Sequence, residues 1–185
     1  MNPSVIISLV KILVYPENSY GASWGLGKGD IVFSFFSSIS YHLEGVGNWG
    51  KRFPHLLLGL CDHGIVENQN LDAFRCELEI IQKELKHFTI LNTIQDIEDL
   101  SKPFPWNITP GCETDTLDEI WCTPRGNISY FETFYKGIED AKRRNTALLL
   151  VYAPETANRD TLRTRKNKGR EYWLGMLPIN HGDEI

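Results

Sequence analysis

The sequence predicts an α+β domain, in which a mixed sheet of about four strands packs with about four helices in the order β-α-α-α-β-β-α-β. Two observations support this class. Apolar residues recur at helical spacing in several segments, and runs rich in β-branched residues occur at 5–15 and 146–152. The chain has 185 residues, enough for one domain with a real core. We assign that domain to residues 1–153 and treat 154–185 as a basic and apolar C-terminal tail.

The first strand is predicted over residues 5–15, between Pro3 and Pro16. This run is too short to cross a membrane and carries Lys11 in its middle. It also lacks the basic leader and cleavage site of a secretion signal. Residues 16–30 are rich in glycine and turn formers, so we expect a loop there.

Three helices are predicted next. Asp30 is expected to cap the first, and the second begins near Pro54 and ends at Gly64. Asn70 is expected to cap the third, which has the longest apolar stripe. The apolar face of the first helix comprises Val32, Phe36, Ile39 and Leu43. The stripe of the third comprises Leu71, Phe74, Leu78, Ile81, Leu85 and Phe88.

The second half of the domain is predicted to alternate strands with one helix. A strand ends near Ile97, the proline-rich residues 101–116 form a loop, and residues 117–123 form a short strand. After a turn at 124–127, Asn127 is expected to cap the fourth helix. The inner face of that helix comprises Phe131, Phe134 or Tyr135, Ile138 and Ala141. A buried strand over 146–152 completes the domain.

The charge is unevenly distributed along the chain. The net charge is −5, and residues 159–185 hold 6 basic and 4 acidic residues, a net of +2, which leaves −7 for residues 1–158. An acidic body repels nucleic acid and attracts basic proteins. We therefore expect neither nucleic acid nor a membrane as partner. The alternative is a nucleic-acid-binding regulator that uses the basic tail.

Cysteine spacing argues against a zinc finger or a redox motif, because no CxxC occurs. Without an export signal, the cysteines are expected to be reduced, which is typical of a cytoplasmic protein. The four cysteines are Cys61, Cys76, Cys112 and Cys122.

Two groups of residues could serve catalysis. Ser34, Ser38 and His42 share one helical face, and Cys61 and His63 lie together at a predicted helix end. The alternative function is therefore a small hydrolase or a metal-dependent enzyme that uses the His42/Cys61/His63 region. However, the sequence has no GxSxG, phosphate-binding or dinucleotide-binding motif, and adjacent helical residues do not converge on one ion. We expect no cofactor, no metal site and no catalytic residues.

Two carboxylate clusters, at 96–100 and 113–119, flank the proline-rich loop that contains Trp106. Three interpretations are open: a solvated rim, a surface that docks a basic protein, or a pair of carboxylates that perform acid–base chemistry or bind a divalent metal. A docking surface would combine an aromatic anchor with surrounding charge.

Four motifs of the chain stand out: "FSFFSSISYHLE" (33–44), "GNWGKRFPHLLLGL" (47–60), "DIEDLSKPFPW" (96–106) and "GIEDAKRR" (137–144). Together they resemble the immunity protein 70 family. Members are small cytoplasmic bacterial proteins of polymorphic toxin and contact-dependent inhibition loci. The resemblance implies a protein that binds and neutralises a cognate toxin domain without catalysis.

The predicted partner is therefore the C-terminal domain of a cognate toxin, and an acidic inhibitor would suit a basic nuclease. On this hypothesis the Ser/His helix face is scaffold or binding surface. The candidate toxin-binding residues are Asp96, Glu98, Asp99, Trp106, Asp115, Asp118 and Glu119.

Overall fold

A four-stranded antiparallel sheet and a set of helices form an α+β fold, as predicted. The computed structural model describes residues 9–14, 22–103, 107–123 and 128–153. The strands lie in the order β2-β1-β4-β3, and every described pairing is antiparallel, so the predicted mixed sheet is wrong. The strands are β1 (Leu9–Val14), β2 (Ala22–Lys28), β3 (Ile65–Val66) and β4 (Leu148–Ala153).

The helices follow the predicted apolar periodicity over most of their length. They are α1 (Gly29–Ile39), which continues as a π-helical turn (Ser40–Glu44), the π-helix (His55–Asp62), α2 (Leu71–Leu85), α3 (Leu117–Ile120) and α4 (Tyr130–Arg143). Helix α4 packs against α2, β1 and β2, and the π-helix packs against α2, β3 and β4. The observed element order differs from the predicted one, because two strands lie where a loop and a connection were expected and two predicted strands do not form.

Strand β2 replaces part of the loop predicted over residues 16–30. It pairs with β1, and the register shifts where Val10 faces Gly27 and Lys11 faces Gly25, which leaves Leu26 as the extra residue of a bulge. Gly27 has a φ of +116°, a conformation that glycine adopts readily. The glycines that suggested a loop therefore shape a bulged edge strand, and the bulge accompanies the burial of the Leu26 side chain.

Two other strand predictions are wrong. The segment expected to end near Ile97 contains a 3-10 turn at Ile90–Asn92, which begins with a reciprocal cap between Thr89 and Asn92. Residues 117–123 begin as α3, because acidic residues favour a first helical turn and Thr116 Oγ1 lies 2.7 Å from Asp118 Oδ1. Only an isolated antiparallel bridge, between Thr89 and Thr116, joins the two segments.

Helix starts also differ from the predicted caps. Lys28 is the N-cap of α1, and Asp30 lies in the first turn, where its Oδ1 accepts the Ile31 N–H at 2.9 Å. Asn70 occupies the N-cap position of α2, as predicted, but its side chain makes no capping hydrogen bond. Helix α4 is capped by Ser129 instead of Asn127, because Ser129 has an extended backbone and its hydroxyl accepts the Phe131 N–H.

Several predictions concern residues outside the described ranges. These are the start of the first strand, the turn at 124–127, Trp106 and the tail at 154–185. The division into a domain at 1–153 and a tail stays a prediction.

A buried carboxylate links α2 to the π-helix. Glu77 is 8% exposed, and its two oxygens accept the N–H groups of His55 and Leu56 at 3.1 and 2.9 Å. Burial raises the pKa of Glu77 from 4.5 to about 7, and the two N–H donors oppose the rise.

This carboxyl group should make stability depend on pH. Because the folded pKa is raised, the folded state binds more protons than the unfolded state between pH 4.5 and about 7. The contribution of Glu77 to the free energy of unfolding should therefore fall by about 1–3 kcal/mol as pH rises through this range. Urea denaturation at pH 5 and pH 7.5 measures it. Glu77→Gln is the control, since it removes the titrating group, and an unchanged pH slope in that variant would contradict the assignment.

Candidate functional site

The polar face of α1 forms hydrogen bonds with the backbone of residues 94–97, which lie far from it in the sequence. Ser34 Oγ donates to the Ile94 carbonyl at 2.8 Å, and Ser38 Oγ accepts the Ile94 N–H at 2.9 Å. Ser37 Oγ accepts the Ile97 N–H at 3.3 Å. The three serines are fully buried, so their hydroxyl groups replace the strand partners that this segment lacks.

His42, four residues after Ser38, also contacts the backbone of this segment. Its Nε2 lies 2.6 Å from the Asn92 carbonyl oxygen, and its ring stacks on Phe88 with centroids 4.4 Å apart. The Tyr41 ring packs against the His42 ring in an edge-to-face arrangement, with the two centroids 5.0 Å apart. The polar atoms of the Ser/His face that suggested a hydrolase therefore contact the backbone of residues 92–97.

The remaining candidate catalytic residues lie elsewhere. Cys61 is buried in the hydrophobic core, and His63 is the C-cap of the π-helix. Within the described ranges, no group of three or more His, Cys, Asp or Glu side chains could hold a metal ion. Among the helices of those ranges, none is both long enough and apolar enough to cross a membrane.

We use the name acidic layer for residues 89–103 and 107–119. Its two ends meet, because the Ile90 N–H donates to the Asp115 carbonyl at 2.8 Å and the Leu117 N–H donates to the Phe88 carbonyl at 2.9 Å. These bonds join the second carboxylate cluster to the start of the segment that carries the first. The two segments therefore form one unit, and residues 94–97 of the first segment attach it to α1.

Two of the predicted binding carboxylates are buried within this unit. Asp96 is 2% exposed; its Oδ1 accepts the Glu98 N–H at 2.9 Å and its Oδ2 pairs with Lys102 Nζ at 2.6 Å. Asp118 is 8% exposed and lies against the Thr116 hydroxyl. Both carboxylates form hydrogen bonds within turns of the acidic layer, so they stabilise its backbone from the buried side.

The other carboxylates point outward. Those of the predicted set are Glu98, Asp99, Asp115 and Glu119, and all four are exposed. Asp99 Oδ1 accepts the hydroxyl and the N–H of Ser101 at 2.6 and 3.1 Å, and these bonds lower the pKa of Asp99. These four residues can present negative charge to a partner. Trp106, the predicted aromatic anchor, lies outside the described residues.

Two exposed apolar residues of the acidic layer were missed by sequence reasoning. Leu91 is 62% exposed and Leu100 is 54% exposed, although their neighbours Ile90 and Ile97 are buried. No sequence period distinguishes the exposed leucines from the buried isoleucines, because this segment is neither an α-helix nor a strand. The sequence signal for the contact between this segment and α1 was the group of serines on that helix, since buried hydroxyl groups need partners.

Comparison with known proteins identifies the family. The model of immunity protein 70 matches residues 15–150, more than half of the chain. The match includes α1, the acidic layer and α4. No curated protein and no solved structure matches the chain. On the strength of the family match, the chain belongs to the immunity protein 70 family.

Proposed function

We propose that this protein neutralises a cognate toxin by binding its C-terminal domain stoichiometrically, in the cytoplasm and without catalysis. Family membership supports the toxin-neutralising role. The observation that carries the proposed binding mode is the acidic layer, whose exposed carboxylates lie on two segments joined by backbone hydrogen bonds, the first of which is bonded to α1 through the backbone of Ile94.

The charge of this region suits a basic partner. Residues 96–119 contain 7 acidic residues and Lys102, a net charge of −6, whereas the whole chain has a net charge of −5. Opposite charge on a partner accelerates association and orients the encounter. A nuclease domain, which needs a basic surface to bind nucleic acid, fits this chemistry.

Co-expression tests the function. The C-terminal domain encoded immediately upstream of this gene should be toxic alone, and co-expression with this protein should restore growth and give a stable one-to-one complex. A toxic domain that is neither rescued nor bound would contradict the proposal. It would also return attention to His42, Cys61 and His63.

The surface itself is tested by charge reversal. Four of the five exposed carboxylates of the acidic layer are changed to lysine: Glu98→Lys, Asp99→Lys, Asp115→Lys and Glu119→Lys. The association rate constant with the toxin domain should fall about 10-fold or more at low salt, because steering attraction is replaced by repulsion. Stopped-flow association at two ionic strengths measures the effect.

A control with the same change in net charge separates location from total charge. It carries Asp72→Lys, Glu79→Lys, Glu132→Lys and Glu139→Lys, at exposed positions on α2 and α4. This control should retain most of the association rate. Equal rates in the two variants would exclude the acidic layer as the docking surface and leave the family function intact.

A further inference from the structure

The acidic layer exposes apolar side chains that the core does not use. Its buried side chains include Ile90 and Ile97, at 5% and 7% exposure, whereas Leu91 and Leu100 point outward. A scattered exposed leucine needs no explanation. These two differ because they lie on the same layer as the exposed carboxylates. Among the residues whose exposure the structure describes, the other exposed large apolar residues are Val46, Leu58 and Ile80.

Both leucines are held in ordered turns. Leu91 lies inside the 3-10 turn that the Thr89–Asn92 cap closes, and the Asn92 carbonyl contacts His42. This side chain is therefore presented by a backbone with fixed partners on both sides. Its display on a fixed backbone reduces the conformational entropy that binding would cost.

Leu100 is presented in a similar way. It lies between Asp99 and Ser101, whose side chains bond to each other, and the Asp96–Lys102 ion pair brackets this turn. The Lys102 N–H also donates to the Asp99 carbonyl at 3.2 Å. A partner can bury an exposed apolar side chain that its own turn holds in place, and this burial costs little conformational entropy.

We infer that Leu91 and Leu100 are the apolar anchors of the toxin complex, and that the partner surface combines basic residues with apolar recesses that receive them. This inference rests on the proposed function. In the complex, the exposed carboxylates govern the association rate and the leucines govern the dissociation rate. The two effects separate in this way because electrostatic attraction acts through solvent before the two proteins touch. The burial of apolar side chains contributes only in the formed complex.

The charge of the layer selects this class of partner. Phosphate-rich nucleic acid and anionic lipid surfaces would be repelled by a segment of net charge −6. A folded protein surface with positive charge satisfies both features of the layer, its carboxylates and its leucines. The toxin domain is the partner that family membership implies.

The test measures binding kinetics for Leu91→Ser combined with Leu100→Ser. The probe is the upstream-encoded C-terminal domain, inactivated at its own active site and immobilised. The dissociation rate constant should rise about tenfold or more, while the association rate constant stays within about twofold. The control is Val46→Ser combined with Ile80→Ser, at positions 67% and 44% exposed outside the layer, and it should leave both constants unchanged.

The outcomes separate the two proposals. If the wild-type protein binds and the leucine variant dissociates at the wild-type rate, the anchor assignment is overturned and the proposed function stands. If the wild-type protein neither binds nor protects against the toxic domain, the proposed function fails and this inference fails with it. Unfolding curves of both double variants should match the wild type, because the changed side chains are exposed; this shows that any kinetic change arises at the interface.

Discussion

Replacing Phe35 with alanine should lower the free energy of unfolding by about 3–5 kcal/mol, the cost of removing a large aromatic ring from a packed core. Phe35 is fully buried on α1. Its ring lies 5.7 Å from Trp121, 5.5 Å from Tyr130 and 5.9 Å from Phe134, measured between centroids. The lost ring therefore leaves a cavity lined by large side chains that cannot all move inward.

Equilibrium denaturation in urea measures this change, and the denaturant slope should stay constant. Phe35→Leu is the matched control, because it retains apolar volume, and it should cost clearly less, about 1–2 kcal/mol. A loss below about 1 kcal/mol for the alanine variant would mean that the aromatic cluster collapses around the vacancy and is less tightly packed than the structure indicates.

Replacing Ser34 and Ser38 together with alanine should destabilise the protein by about 2–4 kcal/mol and loosen the acidic layer. The Ile94 carbonyl accepts from both hydroxyl groups, at 2.8 and 3.4 Å, and the Ile94 N–H donates to Ser38. Without these partners, polar backbone groups of the layer face an apolar helix surface. Opening the segment to water then becomes favourable, so the effect should be local as well as global.

Hydrogen exchange distinguishes local opening from general destabilisation. The Ile94 amide should exchange faster in this double variant by a larger factor than amides in α4, and toxin binding should weaken because the layer is no longer ordered in advance. Ser40→Ala is the control: Ser40 is equally buried on the same helical run, but its hydroxyl donates to Glu44. Uniform acceleration of all amides, without a specific effect at Ile94, would refute the anchoring role.

The helices show how far periodicity can predict a fold. The stripe from Leu71 to Leu85 is fully buried in α2, and Phe134 occupies the inner face of α4. Such patterns are reliable because a repeat over several turns leaves a helix only one way to bury its apolar side. Single residues predict caps less well, as Asp30 shows: it lies one step inside α1 instead of before it.

Strand β2 and the acidic layer show where this reasoning fails. Gly25 and Gly27 are typical of a loop in sequence, yet pairing with β1 makes them part of a strand. The residues around Ile94 include several β-branched residues, as strands often do, yet their partners are serine hydroxyl groups 56 and 60 positions earlier in the chain. Both outcomes depend on contacts that are remote in sequence, and local propensity contains no information about them.

The sequence by itself determined the α+β class, the main helices, the acidic charge of residues 96–119 and the resemblance that the family match confirms. These properties depend on composition, short-range spacing and motif order. Only the tertiary structure decided which carboxylates are available to a partner, burying Asp96 and Asp118 while leaving Asp99 exposed. The tertiary structure also left the side chains of Leu91 and Leu100 exposed to solvent. The physical reason is that exposure depends on which distant backbone packs over a residue, and here buried hydroxyl groups on α1 select that backbone.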